Sequence, residues 1–181
     1  MAAPVLVVSG CSAVGKSTVS ELLGTALDKS LHMPSDAFCR FFADPFPDPA
    51  TSEGAHRYRH IGAAQAVAAA QFATGGYTVI LDGTIFPEGV DGIAEICGRQ
   101  DVDVHYVVLR ADLDTCLERA RRRDPGHPVD PDGFRALHSR FVDLAHREGH
   151  AMDASRPPEE VAGAVLAAFE SSRLALAPQT G

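Results

Sequence analysis

Residues 5–18 read VLVVSGCSAVGKST, and this stretch decides the fold of the chain. The apolar run VLVV is typical of a strand that is buried on both faces of a parallel sheet. The eight residues from Gly10 to Ser17 match the pattern G-x-x-x-x-G-K-[ST] without a mismatch, and a helix pattern begins at Lys16. A tight loop between a strand and a helix N-terminus gathers backbone N–H groups around phosphate. The stretch therefore predicts a site for a nucleoside triphosphate.

Each part of this phosphate loop has an expected role. Gly10 and Gly15 permit the tight backbone, Lys16 reaches the β and γ phosphates, and the Ser17 hydroxyl holds Mg²⁺. A chance match within a glycine-containing turn is the alternative, but the strand and the helix on either side favour the functional interpretation. The other residues expected to bind the nucleotide here are Ser12, Ala13, Val14 and Thr18.

The composition limits the class of protein. The chain has 181 residues, of which 45% are hydrophobic and 22% charged, so we expect one globular domain over residues 1–181. A formal net charge of −8 disfavours broad binding to nucleic acid. The N-terminus has the pattern of neither a signal peptide nor a membrane span, and the four cysteines form no C-x-x-C pair. We expect a cytoplasmic protein with reduced thiols and no membrane partner, and the sequence leaves monomer and homodimer open.

Strand and helix patterns alternate along the chain. Further strands are predicted near residues 30–34, 77–81, 102–109 and 150–152. Helices are predicted near residues 16–28, 54–72, 112–123, 134–147 and 159–174. This alternation predicts an α/β fold in which a parallel sheet is covered by helices on both faces.

The strand at 77–81 ends in Asp82, where a protein with such a loop is expected to have an acid that organises Mg²⁺. Ligands of parallel α/β sheets gather at the carboxyl ends of the strands, and this placement favours the same interpretation. A plain turn is the alternative, because Asp-Gly is a common turn pair. If Asp82 faces the site, Gly83 and Thr84 border the pocket of the second substrate.

Three segments together resemble a family. They are the phosphate loop, residues 34–40 (PSDAFCR) and residues 117–123 (LERARRR), and they resemble the nucleoside-monophosphate-kinase-like group. This group includes shikimate kinase, gluconate kinase, adenylylsulfate kinase and chloramphenicol phosphotransferase. The N-K-x-D motif of switch-type GTPases is absent, and the chain is too short for an AAA-type motor with a helical second domain. The resemblance implies a P-loop NTPase fold with sheet order 2-3-1-4-5, ATP as the nucleotide, and a small lid at about residues 120–133.

The resemblance also implies an acceptor-binding region at about residues 36–62. Asp36 matches the acid that contacts the acceptor hydroxyl and takes its proton, although a helix cap at Ser35-Asp36 explains it as well. Arg40 resembles the acceptor-binding arginine of adenylylsulfate kinase. If Arg57 faces the pocket, the acceptor carries an acid group; otherwise this residue belongs to an exposed first helical turn.

Three further arginines are expected on the nucleotide side. Arg119 and Arg123 are four residues apart and share a helix face; Arg119 resembles the residue that stacks on adenine, and Arg123 a clamp on the transferred phosphate. Arg156 lies in a segment that resembles the loop that closes over adenine. A solvated basic helix face and a plain turn are the respective alternatives.

These residues together predict an ATP-dependent phosphotransferase that moves the γ-phosphate to a hydroxyl of a small molecule, either a metabolite or an antibiotic. Lys16, Asp36 and Arg123 are the expected catalytic residues, and Ser17 and Asp82 the expected magnesium ligands. Two other functions stay open, a nucleotide-binding sensor without transfer and a polynucleotide 5′-end kinase, the latter disfavoured by the acidic charge.

Overall fold

The computed structural model describes residues 2–44, 47, 51–123 and 129–177. Within these residues the chain forms a five-stranded sheet with helices packed around it. The strands are β1 (Val5–Gly10), β2 (Ser30–Pro34), β3 (Thr78–Asp82), β4 (Val104–Arg110) and β5 (Ala151–Asp153). The helices are α1 (Lys16–Ala26), α2 (Asp36–Cys39), α3 (Ser52–Thr74), α4 (Pro87–Gly98), α5 (Leu113–Arg123), α6 (Pro131–Ser139), a 3₁₀ helix (Ala145–His150) and α7 (Pro158–Glu170).

The sheet is parallel and its order is β2-β3-β1-β4-β5, which confirms the predicted order. Val5 to Val8 are completely buried, because β1 lies at the centre of the sheet between β3 and β4. Asp82 of β3 pairs in register with Val8 of β1 and with Pro34 of β2. The carboxyl ends of these three strands therefore meet at one edge, and the segments that follow them begin side by side.

Helix α4 was not among the predicted helices. Val90, Ile93 and Cys97 are buried at helical spacing and join the core, where α4 packs beside α3. Gly89 and Gly92 interrupt the pattern on the outer side, and glycine weakens the helical signal of a sequence. The helix forms because its apolar face is buried, not because its residues favour a helix individually.

The helix predicted over residues 134–147 is wrong as a single element. Helix α6 ends at Ser139, and a separate 3₁₀ helix begins at Ala145. The Arg110 side chain accounts for this break, because it donates hydrogen bonds to the carbonyl oxygens of Phe141 (2.8 Å) and Val142 (2.6 Å). A continuous helix would bond these oxygens to its own following turn.

The other predicted elements are present with shifted ends; the last helix, for example, ends at Glu170 rather than near residue 174. None of the helices in the described part of the chain combines the length and apolar character that crossing a bilayer requires.

Candidate active site

The loop from Gly10 to Ser17 joins β1 to α1 and is bent by residues of positive φ. The φ angles of Gly10 and Gly15 are 142° and 112°, and that of Ala13 is 59°. A Cβ atom at Gly10 would lie 2.5 Å from the carbonyl oxygen of Leu109, so β4 leaves room only for glycine there. The backbone thus has the tight turn that the sequence predicts, directly before the N-terminus of α1.

The Lys16 ammonium is folded onto this loop. Its Nζ donates to the carbonyl oxygens of Gly10 (3.1 Å) and Cys11 (2.8 Å). Burial lowers the pKa of Lys16; the nearby Cys11 and Asp82 act in the opposite direction, and the positive charge of Arg123 lowers it further. Arg123 is exposed at the end of α5.

Ser17 and Asp82, the two predicted magnesium ligands, are in direct contact. Ser17 Oγ donates to Asp82 Oδ2 at 2.7 Å, although the two residues are 65 positions apart. The carboxylate is buried, and His32 Nε2 lies 3.3 Å from its other oxygen. This carboxylate raises the pKa of His32, and burial of the imidazole opposes the rise.

Asp36 follows β2 at the same edge of the sheet. The backbone N–H of Ser35 donates to the carbonyl oxygen of Asp82 at 2.8 Å and ties the start of α2 to the end of β3. Asp36 is the first residue of α2 and is exposed, with Arg40 Nη2 3.6 Å from its Oδ2. Ser35 occupies the cap position without a side-chain capping bond. Asp36 therefore lies inside the helix rather than at its cap position, and its carboxylate is exposed beside Arg40.

Gly83 packs tightly against the same junction. A Cβ atom on Gly83 would overlap the Ser35 hydroxyl and lie 2.7 Å from Ser35 Cβ, which no real side chain tolerates. Thr84, the next residue, is exposed. The close approach of Gly83 to Ser35 brings the ends of β2 and β3 together, and so brings Asp36 and Asp82 to one edge.

Arg57 and Arg156 have partners within their own segments. Arg57 Nη2 lies 2.9 Å from Glu53 Oε1 and 3.9 Å from Asp44 Oδ2, whereas its buried Nη1 has no hydrogen-bond partner among the described residues. Arg156 is exposed, with Nε 3.7 Å from Asp153 Oδ2. The contacts of these two arginines do not link them to the phosphate loop.

Arg119, in contrast, contacts the phosphate loop directly. Its Nη1 donates to the carbonyl oxygen of Val14 at 2.9 Å, so α5 lies against the loop. Residues 124–128 of the predicted lid lie outside the described residues, and only the ends of the lid region, in α5 and α6, are described.

A polar network that was not predicted from the sequence lies beneath the site. Ser9 Oγ donates to the carbonyl oxygen of Ile85 at 2.6 Å and accepts from its N–H at 3.0 Å, and the Tyr106 hydroxyl donates to the same carbonyl at 2.9 Å. These bonds anchor the segment that follows Asp82. A serine that ends an otherwise apolar buried strand is the signal that could have indicated such a network.

Ser17 and Asp82 provide hydroxyl and carboxylate oxygens, which are the donors that Mg²⁺ prefers. The described residues contain no group of three or more His, Cys, Asp and Glu side chains that could enclose a metal ion. Magnesium does not need such a cage, because it is bound through one or two protein oxygens, substrate phosphates and water. The pair therefore fits a phosphate-bound magnesium ion.

Comparison with known proteins agrees with this geometry. The sequence matches the AAA domain family over residues 5–143, a range that includes the phosphate loop, Asp36 and Asp82. The chain belongs to this family. A comparison with curated proteins finds no match. Whether the chain lacks the motor function of some AAA-type proteins, as the sequence analysis expects, stays a prediction.

Solved structures with the same fold include several kinases. A gluconokinase from Sinorhizobium meliloti superposes with a TM-score of 0.68 at 19% identity, covering 94% of this chain and 93% of that one. The APS kinase of Mycobacterium tuberculosis, in complex with AMPPNP and APS, has a TM-score of 0.69 at 16% identity, with coverages of 93% and 98%. The tunicamycin resistance protein of Deinococcus radiodurans has a TM-score of 0.65 at 19% identity, with coverages of 97% and 99%. At these identities the likeness establishes the fold, which is that of P-loop kinases.

Proposed function

We propose that this AAA domain protein is an ATP-dependent phosphotransferase that moves the γ-phosphate of ATP to a hydroxyl group of a small molecule. The contact between Ser17 and Asp82, at 2.7 Å, is the observation that carries the proposal. This contact connects the phosphate loop to the end of β3, and Asp36 and Gly83 lie beside that strand end. A phosphate-binding loop and an exposed acid at one sheet edge are the two parts that transfer to an acceptor requires.

The loop would hold the phosphates of ATP. Its backbone N–H groups, together with the N-terminus of α1, form a cradle for anionic oxygens at Gly10, Ser12, Ala13, Val14, Gly15, Lys16, Ser17 and Thr18. The Lys16 ammonium, now bonded to two loop carbonyls, would exchange them for phosphate oxygens. Arg123, whose charge acts on Lys16, would stabilise the transferred group.

The nucleotide side would also include Arg119 and Arg156. The bond from Arg119 to Val14 holds its guanidinium beside the loop, where it can stack on adenine. Arg156 is exposed in the turn that follows β5, the last strand of the sheet. We place the lid that would close over the nucleotide at about residues 120–133, within a single domain that spans residues 1–181.

Magnesium would be held by Ser17 and Asp82. The bound ion would neutralise negative charge on the phosphates during transfer. Asp82 is suited to this role because its carboxylate is buried, accepts a bond from Ser17 and lies beside His32, so neighbouring side chains fix its orientation.

The acceptor would lie between the phosphate loop and residues 36–62. Asp36 would orient the acceptor hydroxyl and take its proton as the γ-phosphate is transferred. Arg40, Asp82, Gly83 and Thr84 would border the acceptor at the same strand ends. Within the described part of the chain Arg57 Nη1 has no partner, which suits an acid group on the acceptor.

ADP release by the purified chain tests this proposal. The assay contains ATP, Mg²⁺ and one candidate acceptor at a time: gluconate, shikimate, APS, tunicamycin, chloramphenicol or an oligonucleotide with a 5′-hydroxyl. The names of the structural neighbours suggest gluconate, APS and tunicamycin, and the family resemblance suggests shikimate and chloramphenicol. We expect one small molecule to stimulate ADP release and to appear as its phosphate ester by mass spectrometry.

Asp36→Asn tests the role of the acid. Loss of a general base lowers turnover by about a hundredfold or more, whereas nucleotide binding should persist. Asp28→Asn is the matched control, because Asp28 is an exposed acid between α1 and β2, at the opposite edge of the sheet. Phosphorylation of the oligonucleotide alone would identify a polynucleotide kinase instead. ATP binding without transfer to any compound, unchanged in Asp36→Asn, would favour a sensor.

A further inference from the structure

Two of the four cysteines meet at the phosphate loop. Cys11 is the second residue of the loop, Cys116 lies in α5, and their sulfur atoms are 3.4 Å apart although the residues are separated by 105 positions. Both side chains are buried. A disulfide has an S–S distance of about 2.0 Å, so a movement of little more than an ångström would join them.

The pKa values of the two thiols favour oxidation of the pair. A hydrogen bond from the Cys116 thiol lowers the pKa of Cys11 to about 7; burial opposes this shift, and the charges of His138 and Lys16 support it. The same bond, together with burial, raises the pKa of Cys116. The pair therefore holds one thiolate near neutral pH with its thiol partner in contact, and the thiolate is the form that reacts with peroxides.

A small oxidant can reach the thiolate. Cys11 lines a partly open cavity of about 160 Å³, which is large enough for hydrogen peroxide. The rest of its lining comes from the end of β4 and from α6 with the residues after it: Leu109, Arg110, Ala111, His138, Phe141 and Val142.

We propose that Cys11 and Cys116 form a reversible disulfide upon reaction with peroxide, and that this bond weakens nucleotide binding. The Cys11 thiolate attacks one peroxide oxygen, the O–O bond breaks, and sulfenic acid and hydroxide form. The Cys116 thiol then attacks the sulfenic sulfur, and water leaves after its proton is transferred. In total two thiols and one H₂O₂ give one disulfide and two waters, with two electrons passing from sulfur to oxygen.

The position of the bond explains why binding would change. Cys116 and Arg119 are three residues apart on one face of α5, and they contact Cys11 and Val14 of the loop. Gly10 pairs with Leu109 in the register of β1 and β4, so the start of the loop is fixed to the sheet. Closing the S–S bond therefore displaces α5, and with it the guanidinium of Arg119. This second step rests on the proposed nucleotide site, whereas formation of the bond does not.

The first experiment counts thiols in the full, reduced chain before and after a pulse of hydrogen peroxide. The protein is denatured, its free thiols are alkylated with N-ethylmaleimide, and the mass of the intact chain is measured by mass spectrometry. All four cysteines react before the pulse. After it we expect two fewer maleimides, a cross-linked pair of peptides that contain Cys11 and Cys116, and full recovery with dithiothreitol. Four maleimides after the pulse, sulfinic acid at Cys11, or a disulfide between other cysteines would overturn the proposal.

The second experiment measures binding of mant-ATP with Mg²⁺ to the oxidised and re-reduced protein. We expect the Kd for mant-ATP to rise about tenfold on oxidation and to recover on reduction. A tenfold rise corresponds to the loss of one hydrogen bond between the loop and a phosphate oxygen. An unchanged Kd in protein that carries the disulfide would overturn the effect on binding. The thiol count needs no catalytic activity, so failure of the kinase proposal would leave it interpretable.

Two variants distinguish the effect of a Cys11–Cys116 disulfide from the effect of oxidation elsewhere in the protein. Cys116→Ser cannot form the bond, so any change in its Kd after the pulse reports sulfenic acid at Cys11 alone, and we expect it to be smaller than the tenfold rise in the parent. Cys97→Ser retains both partners and should respond as the parent does, although Cys97 is equally buried. Thermal unfolding verifies that each variant is folded, and the peptide map of the parent tests the bond even if a variant is not.

Discussion

Ser17 Oγ donates a 2.7 Å hydrogen bond to Asp82 Oδ2, and this bond joins the start of α1 to the end of β3. The two residues come from separate strand–helix units, and the parallel register that pairs Val8 with Asp82 brings them together. His32 on β2 contacts the other carboxylate oxygen. The carboxylate of Asp82 thus connects residues from three neighbouring strand units of the sheet.

In Asp82→Asn, ATP turnover and ATP affinity should depend less on Mg²⁺ than they do in the parent. The amide keeps the shape of the side chain but removes the charge, so we expect ATP turnover to fall by about 10²–10³-fold. A titration of turnover and of ATP affinity with Mg²⁺ measures the effect. The control is Asp103→Asn, an exposed acid just before β4. If the variant has the same magnesium dependence as the parent, Asp82 does not bind the magnesium ion.

Arg119→Ala should weaken nucleotide binding without unfolding the chain. The substitution removes the bond to Val14 and the planar cation beside the loop, and we expect the Kd for ATP to rise by about tenfold. Arg122→Ala is the matched control, because Arg122 is exposed on the same helix and paired with Glu118. Equal affinities of the two variants would contradict a role for Arg119 in binding.

Gly83→Ala should destabilise the protein. The added methyl group would meet the partly buried Ser35, whose backbone is bonded to the end of β3, and overpacking of this kind costs about 1–3 kcal/mol. Gly163→Ala is the opposite case: nothing lies within 4 Å of its Cβ position in α7, and alanine there should stabilise the helix by about 0.5–1 kcal/mol. Denaturation in urea gives both free energies of unfolding. A Gly83→Ala variant as stable as the parent would mean that the ends of β2 and β3 can separate.

The sequence analysis succeeded where the signal is local. The phosphate loop, its strand and its helix follow from fourteen consecutive residues, here 5–18, and the sheet order follows from the family that they resemble. Helix α4 was missed because glycines obscure a pattern that burial nevertheless stabilises. The break after α6 depends on Arg110, which lies on a distant strand. No rule of spacing predicts such a contact.

The contacts of the candidate site likewise divide into those that a local sequence signal predicts and those that depend on distant segments. Ser17 and Asp82 could be paired in advance, because both belong to segments with known positions in a parallel sheet. The contacts of His32 with Asp82 and of Cys116 with Cys11 could not, because neither residue lies in a motif. They depend on which side chains face each other across the fold, and that information exists only once the chain is assembled.

The reactivity of Cys11 should depend on pH in a way that Cys116 controls. The pKa of Cys11 is lowered to about 7, so the reactive thiolate is present above that pH and lost below it. We expect alkylation of Cys11 by iodoacetamide in the native protein to accelerate between about pH 6 and 8 and then to level off. The charged groups near this thiol are Lys16, His138 and Arg110, the last of which is paired with Glu148.

Cys116→Ala removes the hydrogen bond that contributes most to this shift. The pKa of Cys11 should then rise, and the midpoint of the alkylation profile should move to higher pH. Cys97 is an internal control, because burial raises the pKa of its thiol to about 11 and should keep it unreactive over the same range. Mass spectrometry of the separate peptides gives each rate. If parent and Cys116→Ala have the same midpoint, the contact of 3.4 Å between the two sulfur atoms does not stabilise the Cys11 thiolate.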